Sequence, residues 1–119
     1  MRLRCVIVDD DGAFLDVART LLEQQGITVA GIARDGADAV ERARVLRPDV
    51  VLLDICLGKE SGFEVARQLA GNGDARALIM ISTHGAADYA ELIADSPVAG
   101  FLPKSDLSAA AIRNILGAG

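Results

Sequence analysis

The stretch Pro48-Asp49-Val50-Val51-Leu52-Leu53-Asp54-Ile55 decides the fold. Val50 to Leu53 is apolar without a break, so a strand built from it has no polar face to turn to water. Such a strand is covered on both sides, as in a parallel sheet between two layers of helices. Pro48 blocks continuation of any helix before it, and the run ends on a carboxylate, Asp54. The same grammar repeats on either side. Leu3 to Val8 reads as a first strand. Ala13 to Gln25 carries Phe14, Val17, Ala18, Leu21 and Leu22 at helical spacing and is closed by Gly26. Thr28 to Ala33 reads as a second strand, and Ala37 to Leu46 as a helix with Ala39, Val40, Ala43 and Leu46 on one face. Beyond Asp54, Phe63 to Leu69 is a short helix before a Gly71-Asn72-Gly73 turn. Ala77 to Ile81 is a fourth strand, and Ala87 to Ala94 a fourth helix stopped by Ser96-Pro97. Val98 to Leu102 is a weaker fifth strand. Ser108 is placed to cap a last helix, Ala109 to Leu116. Five strand–helix units in succession predict an α/β fold: a doubly wound, five-stranded parallel sheet with five helices divided between its faces.

At 119 residues the chain is expected to form one domain, 1–119, with Gly117-Ala118-Gly119 a tail or the start of a linker. Half the residues are hydrophobic but only 3% are aromatic and none is Trp, so the core is expected to be aliphatic. A net charge of −5 with no basic stripe argues against direct nucleic-acid binding by this domain. No apolar run approaches the ~20 residues that span a membrane, and Met1-Arg2-Leu3-Arg4 leads through an apolar strand into three aspartates, unlike a secretory signal. Cys5 and Cys56 form no CxxC or Cys/His cluster; they read as reduced thiols of a cytoplasmic protein.

The polar residues able to do chemistry fall at strand ends. Asp9, Asp10 and Asp11 follow the first strand, Asp54 the third, Ser82 and Thr83 the fourth, and Lys104 the fifth. Ligands of open parallel sheets bind beyond the carboxyl ends of the strands. Asp9, Asp10 and Asp54 together would crowd negative charge and raise carboxyl pKa values. A hard divalent cation such as Mg2+, which takes oxygen ligands, relieves that crowding. Lys104 supplies a point charge for a phosphoryl oxygen, Ser82 a hydroxyl for another, and a carboxylate can serve as nucleophile. The set suits in-line phosphoryl transfer. Asp11 reads as ordinary first-turn charge of the following helix.

In this order and spacing, VIVDDD, PDVVLLDI with Gly62, IMIST-H and GFLPK resemble the receiver domain of bacterial two-component response regulators, the CheY-like superfamily. The resemblance runs from about Leu3 to Leu116. It implies a flavodoxin-like strand order, 2-1-3-4-5, and a phosphoacceptor rather than a turnover enzyme. It further implies that Asp54 accepts the phosphoryl group from a histidine kinase or phosphotransfer protein, that Asp10 ligates Mg2+ directly, and that Asp9 acts through water. The Cys56 backbone carbonyl would complete the protein ligands, Lys104 would pair with the phosphoryl group, and Ser82 and Phe101 would form the switch pair. The surface expected to change is the fourth helix, fifth strand and fifth helix, read by a downstream output domain or protein; a phosphorylation-dependent homodimer is compatible with it. Thr83 and His84 stand where modulating residues are expected.

Three departures stand out. Lys104 is followed by Ser105 rather than the usual proline. Gly58 replaces a common proline, which predicts a more mobile loop after Asp54. Thr83 is bulkier than the usual small residue and predicts slower loss of the phosphoryl mark. A metal-dependent phosphatase with an aspartyl nucleophile is a rival reading, but Cys56 stands where its second aspartate belongs. A flavin carrier would need a Ser/Thr/Gly-rich phosphate loop where three aspartates lie. An unphosphorylated docking domain of the same fold would have no use for the full acceptor, metal and lysine set.

Overall fold

Val50–Asp54 forms β3, the central strand of the sheet, and is buried along its whole length. The structure is a computed structural model that describes residues 2–83 and 86–117. Around β3 lie β1 (Arg4–Val8), β2 (Thr28–Ala33), β4 (Ala77–Ser82) and β5 (Gly100–Pro103), all parallel, in the order β2-β1-β3-β4-β5. The expected fold and strand order are therefore present. The unbroken apolar run explains the layering. Val50 and Leu52 enter one core, with Cys5, Ile7, Ile79 and Ile81, under α1 (Gly12–Gln24) and α5 (Ala109–Leu116). Val51 and Leu53 enter the other, with Val6, Val8 and Met80, under α2 (Gly36–Leu46) and α3 (Gly62–Asn72). Each fully buried Leu or Val contributes roughly 1.5–3 kcal/mol. No helix among the described residues is long and apolar enough to cross a membrane.

Several element ends differ from expectation for identifiable reasons. Helix α3 runs to Asn72, past the expected stop, because only Gly73 of the Gly71-Asn72-Gly73 cluster takes the left-handed cap. Its N–H bonds back to the Leu69 and Ala70 carbonyls. The expected fourth helix divides into a 3-10 turn, Ala86–Tyr89, and a short α4, Ala90–Ala94, which has no side-chain N-cap bond and no buried residue. Asp11 is not first-turn charge but the N-cap of α1, accepting from the N–H groups of Ala13 and Phe14. Ser108 caps α5 as expected, accepting from Ala111 N–H at 3.0 Å. The loop after Asp54 folds into a two-residue antiparallel ladder that pairs Cys56 with Ser61 and Leu57 with Glu60. That ladder had no signal in the apolar pattern.

Candidate functional site

The carboxyl end of the sheet gathers Asp9, Asp10, Asp54, Ser82 and Lys104. Where β1 ends, the Asp9 N–H bonds to the Ala33 carbonyl at 3.0 Å and extends the ladder by one residue. This holds Asp9 at the sheet edge with its side chain fully buried. Its Oδ1 accepts from the Asp11 N–H at 2.9 Å. Asp10, next in the chain, is exposed. Asp54 closes β3 and is 6% exposed; its Oδ1 accepts from the Cys56 N–H at 3.3 Å. Carboxylate oxygens of Asp9, Asp10 and Asp54 all come within 4.8 Å of one another.

Lys104 reaches this cluster from the turn after β5. Its Nζ lies 2.6 Å from Asp9 Oδ2 and 3.4 Å from Asp54 Oδ2. The contact with Asp54 is a hydrogen bond. The one with Asp9 is an ion pair without hydrogen-bond alignment, so Asp9 Oδ2 is a buried oxygen with no directed donor. The Lys104 ammonium also lies 4.5 Å from the centre of the Phe14 ring, a cation–π contact. Ser82 ends β4, is 2% exposed, and stands one residue beyond the Asp54–Ile81 pair of the ladder. Phe101 is a half-buried residue of β5 packed with the core under α2 and α3. Cys56 is exposed and begins the ladder that follows Asp54. Thr83 is exposed in the bend after Ser82, and His84 lies outside the described residues.

One glycine decides whether the loop can form. The Gly62 N–H closes it on the Ile55 carbonyl at 2.7 Å, and a β-carbon on Gly62 would fall 2.2 Å from the Asp54 carbonyl oxygen. No side chain fits there.

Electrostatically the pocket is short of positive charge. Burial first, and then the charge of Asp9, push the Asp54 carboxyl up to about 6, with Lys104 acting in the opposite direction. For Lys104, burial lowers the ammonium, but close contact with Asp9 and the charges of Asp54 and Asp9 outweigh it and leave it above its ordinary value. Lys104 pairs with Asp9 and Asp54, and the Asp10 carboxylate adds a third negative charge close to theirs. Together with the undirected Asp9 oxygen, that arrangement fits a small divalent cation with oxygen ligands.

Four neighbours were missed by the sequence reading. Phe14 was assigned only to the apolar face of its helix. Arg34 donates from Nη2 to the Asp10 carbonyl at 3.0 Å, steadying the acidic loop from the end of β2. Glu60 accepts from the Gly36 N–H at 2.9 Å. Tyr89 packs its ring 6.4 Å from that of Phe63 and has its phenol raised, first by burial and then by the neighbouring Cys56 thiol. Each contact joins residues far apart in the chain, and no local pattern announces it.

Comparison with known proteins agrees with this geometry. Residues 5–116 match the family model of the response regulator receiver domain. The response regulator MprA of Mycobacterium tuberculosis is 32% identical over 104 residues, 87% of this chain and 45% of that protein. A protein-glutamate methylesterase/protein-glutamine glutaminase of Alkalilimnicola ehrlichii is 34% identical over 107 residues, 87% of this chain and 27% of that protein. The chain thus spans less than half the length of these relatives. Among solved structures, a two-component response regulator of the LuxR family from Aurantimonas sp. SI85-9A1 superposes with a TM-score of 0.84 at 25% identity, covering 99% of this chain and 85% of that one. With residues 5–116 of its 119 matched by the family model and the acidic pocket at the sheet's carboxyl end, this chain belongs to the response-regulator receiver domains.

Proposed function

We propose that residues 1–119 act as one receiver unit whose Asp54 accepts a phosphoryl group from a histidine kinase or phosphotransfer protein. The observation that carries this reading is the convergence of the Asp9, Asp10 and Asp54 oxygens within 4.8 Å, with Lys104 Nζ 3.4 Å from Asp54. An Asp54 carboxylate oxygen attacks the phosphorus of the donor phosphohistidine. The new O–P bond forms as the P–N bond breaks, and the imidazole leaves with the electron pair. Asp10, Asp54 and the Cys56 carbonyl would hold Mg2+ directly, and Asp9 through water. When bound, the ion neutralises charge on the phosphoryl oxygens. Lys104 pairs with one phosphoryl oxygen, and the Ser82 hydroxyl donates to another.

The consequence is a shift between two states. Drawing Ser82 inward moves the turn after β4, and Phe101 follows, so the face formed by α4, β5 and α5 changes for its reader, a downstream output domain or protein. Moving such an equilibrium from 1:99 to 99:1 takes about 5.5 kcal/mol of differential stabilisation. The domain works as a phosphoacceptor in the cytoplasm and turns over no separate substrate. Thr83, beside Ser82, slows attack by water on the mark; Thr83→Ala is expected to lose it faster, and an unchanged decay rate counts against this role.

The test is mass measurement after incubation with a small phosphodonor and Mg2+. Native protein should gain one phosphoryl group, and Asp54→Asn should gain none. Full labelling of the Asn variant would end the assignment.

A further inference from the structure

We infer that Glu60 is a positioning residue for cation binding, acting by anchoring the hairpin Cys56–Ser61 to the start of α2. The inference rests on the cation-site reading given above and adds a residue to it.

The hairpin carries the backbone of Cys56 and forms the rim of the acidic pocket. A β-carbon at Gly58, at its tip, would lie 3.7 Å from Asp10 Oδ2. A ladder of two residue pairs is marginal by itself and needs support from outside. On one side that support is local: Leu57 is buried and Gly62 N–H closes the base on Ile55. On the other side it comes from Glu60. Its Oε1 accepts at 2.9 Å from the N–H of Gly36, the first residue of α2. That N–H belongs to the helix end, where no intrahelical acceptor exists, and the carboxylate sits at the positive end of the helix dipole. Asp35, the N-cap, takes the Asp38 N–H instead, at 2.8 Å, so the two acids divide the free donors without competing.

The seat is shaped for this side chain. A β-carbon on Gly36 would fall 2.5 Å from Glu60 Oε2 and 2.9 Å from Val65 Cγ2, so the bare backbone of Gly36 is what lets the carboxylate approach. Charge supports the same role. Glu60 is itself a carboxylate, on the hairpin whose tip lies near Asp10. Seated on α2, it is spent on the helix and stands apart from the converging oxygens of Asp9, Asp10 and Asp54. It therefore holds the rim in place without joining the ligand set, and the cation meets a hairpin that is already ordered.

The experiment is a Mg2+ titration of the whole chain followed by amide NMR shifts, on native protein, Glu60→Ala and Glu60→Gln, with thermal melts to show that each is folded. Glu60→Ala should weaken Mg2+ binding about tenfold, the low end of what outer-shell partners cost. Its Gly36 amide should exchange faster with solvent. Glu60→Gln keeps an oxygen that can accept from Gly36 and should stay within about threefold of native. Should the alanine variant fail to fold, Glu60→Ser carries the same comparison. Native-like affinity in Glu60→Ala, or equal losses in the Ala and Gln variants, overturns the role of Glu60 alone. Absence of Mg2+ binding by native protein overturns the cation-site reading, and this inference with it.

Discussion

Lys104 is held closer to Asp9 than to Asp54, with its ammonium 2.6 Å from the first carboxylate and 3.4 Å from the second. Both carboxylates are buried, and Lys104 is the cation whose ion pairs join them. Replacing it with Met leaves two buried negative charges facing each other. Breaking a buried pair from one side costs on the order of 3 kcal/mol. Lys104→Met is therefore expected to lose about that much stability in urea denaturation with a chelator present. The loss should shrink with saturating Mg2+, because a cation can take over the neutralisation. An equal loss under both conditions would show that Mg2+ does not enter this pocket.

The raised Asp54 carboxyl makes stability depend on pH in a definite direction. Its folded value of about 6 stands above the ordinary 3.8, owing to burial and then Asp9. Between those values the folded state binds more protons than the unfolded chain, so this group's contribution falls as pH rises from about 4 through about 6. At pH 7.5 the buried charge costs on the order of 2 kcal/mol once solvent screening is allowed for. Asp54→Asn removes it. The variant should be more stable than native protein at pH 7.5, with the gap closing below about pH 5. Chelated samples melted across that range provide the check, and a gap independent of pH would contradict it.

Gly62 and Gly71 lie on the same helix and should respond oppositely to alanine. A β-carbon at Gly62 would meet the Asp54 carbonyl at 2.2 Å and Ile55 Cα at 2.9 Å, both backbone atoms that cannot swing aside. Gly62→Ala should cost roughly 3 kcal/mol and impair phosphoryl uptake, because the Asp54 backbone must shift. At Gly71 nothing lies within 4 Å of the added carbon. Gly71→Ala should gain up to about 1 kcal/mol from helix propensity. Urea midpoints for the two variants decide the matter.

The two thiols differ sharply in reach. Cys5 is fully buried, and burial with the charge of Glu23 pushes it up to about 12. Cys56 is exposed. A thiol-reactive dye should label one site per folded chain and two after unfolding, and Cys56→Ser should leave the folded chain unlabelled. Native labelling at Cys5 would place that strand nearer solvent than the structure has it.

Much of the architecture was legible because it rests on local chemistry. The unbroken Val50–Leu53 run requires cover on both faces, and β3 has it. Asp9, Asp10, Asp54, Ser82 and Lys104 could be assigned to strand ends because parallel strands all finish on one edge. Element ends were less readable. Gly71-Asn72-Gly73 holds three candidate stops, and helix geometry uses only the last. Asp11 could be first-turn charge or cap from its residue type alone, and only the backbone at the start of α1 makes it the cap.

Residue order by itself determined the layers and the edge where the candidate site lies, because periodicity and strand-end position are properties of neighbours in the chain; the strand order came only with the family resemblance. Tertiary structure alone decided that Lys104 settles on Asp9, that Phe14 roofs its ammonium, and that Glu60 seats on Gly36. Those contacts join residues tens of positions apart. They depend on distances of a few ångströms that no spacing rule carries, since charge and hydrogen bonding act through space and not along the chain.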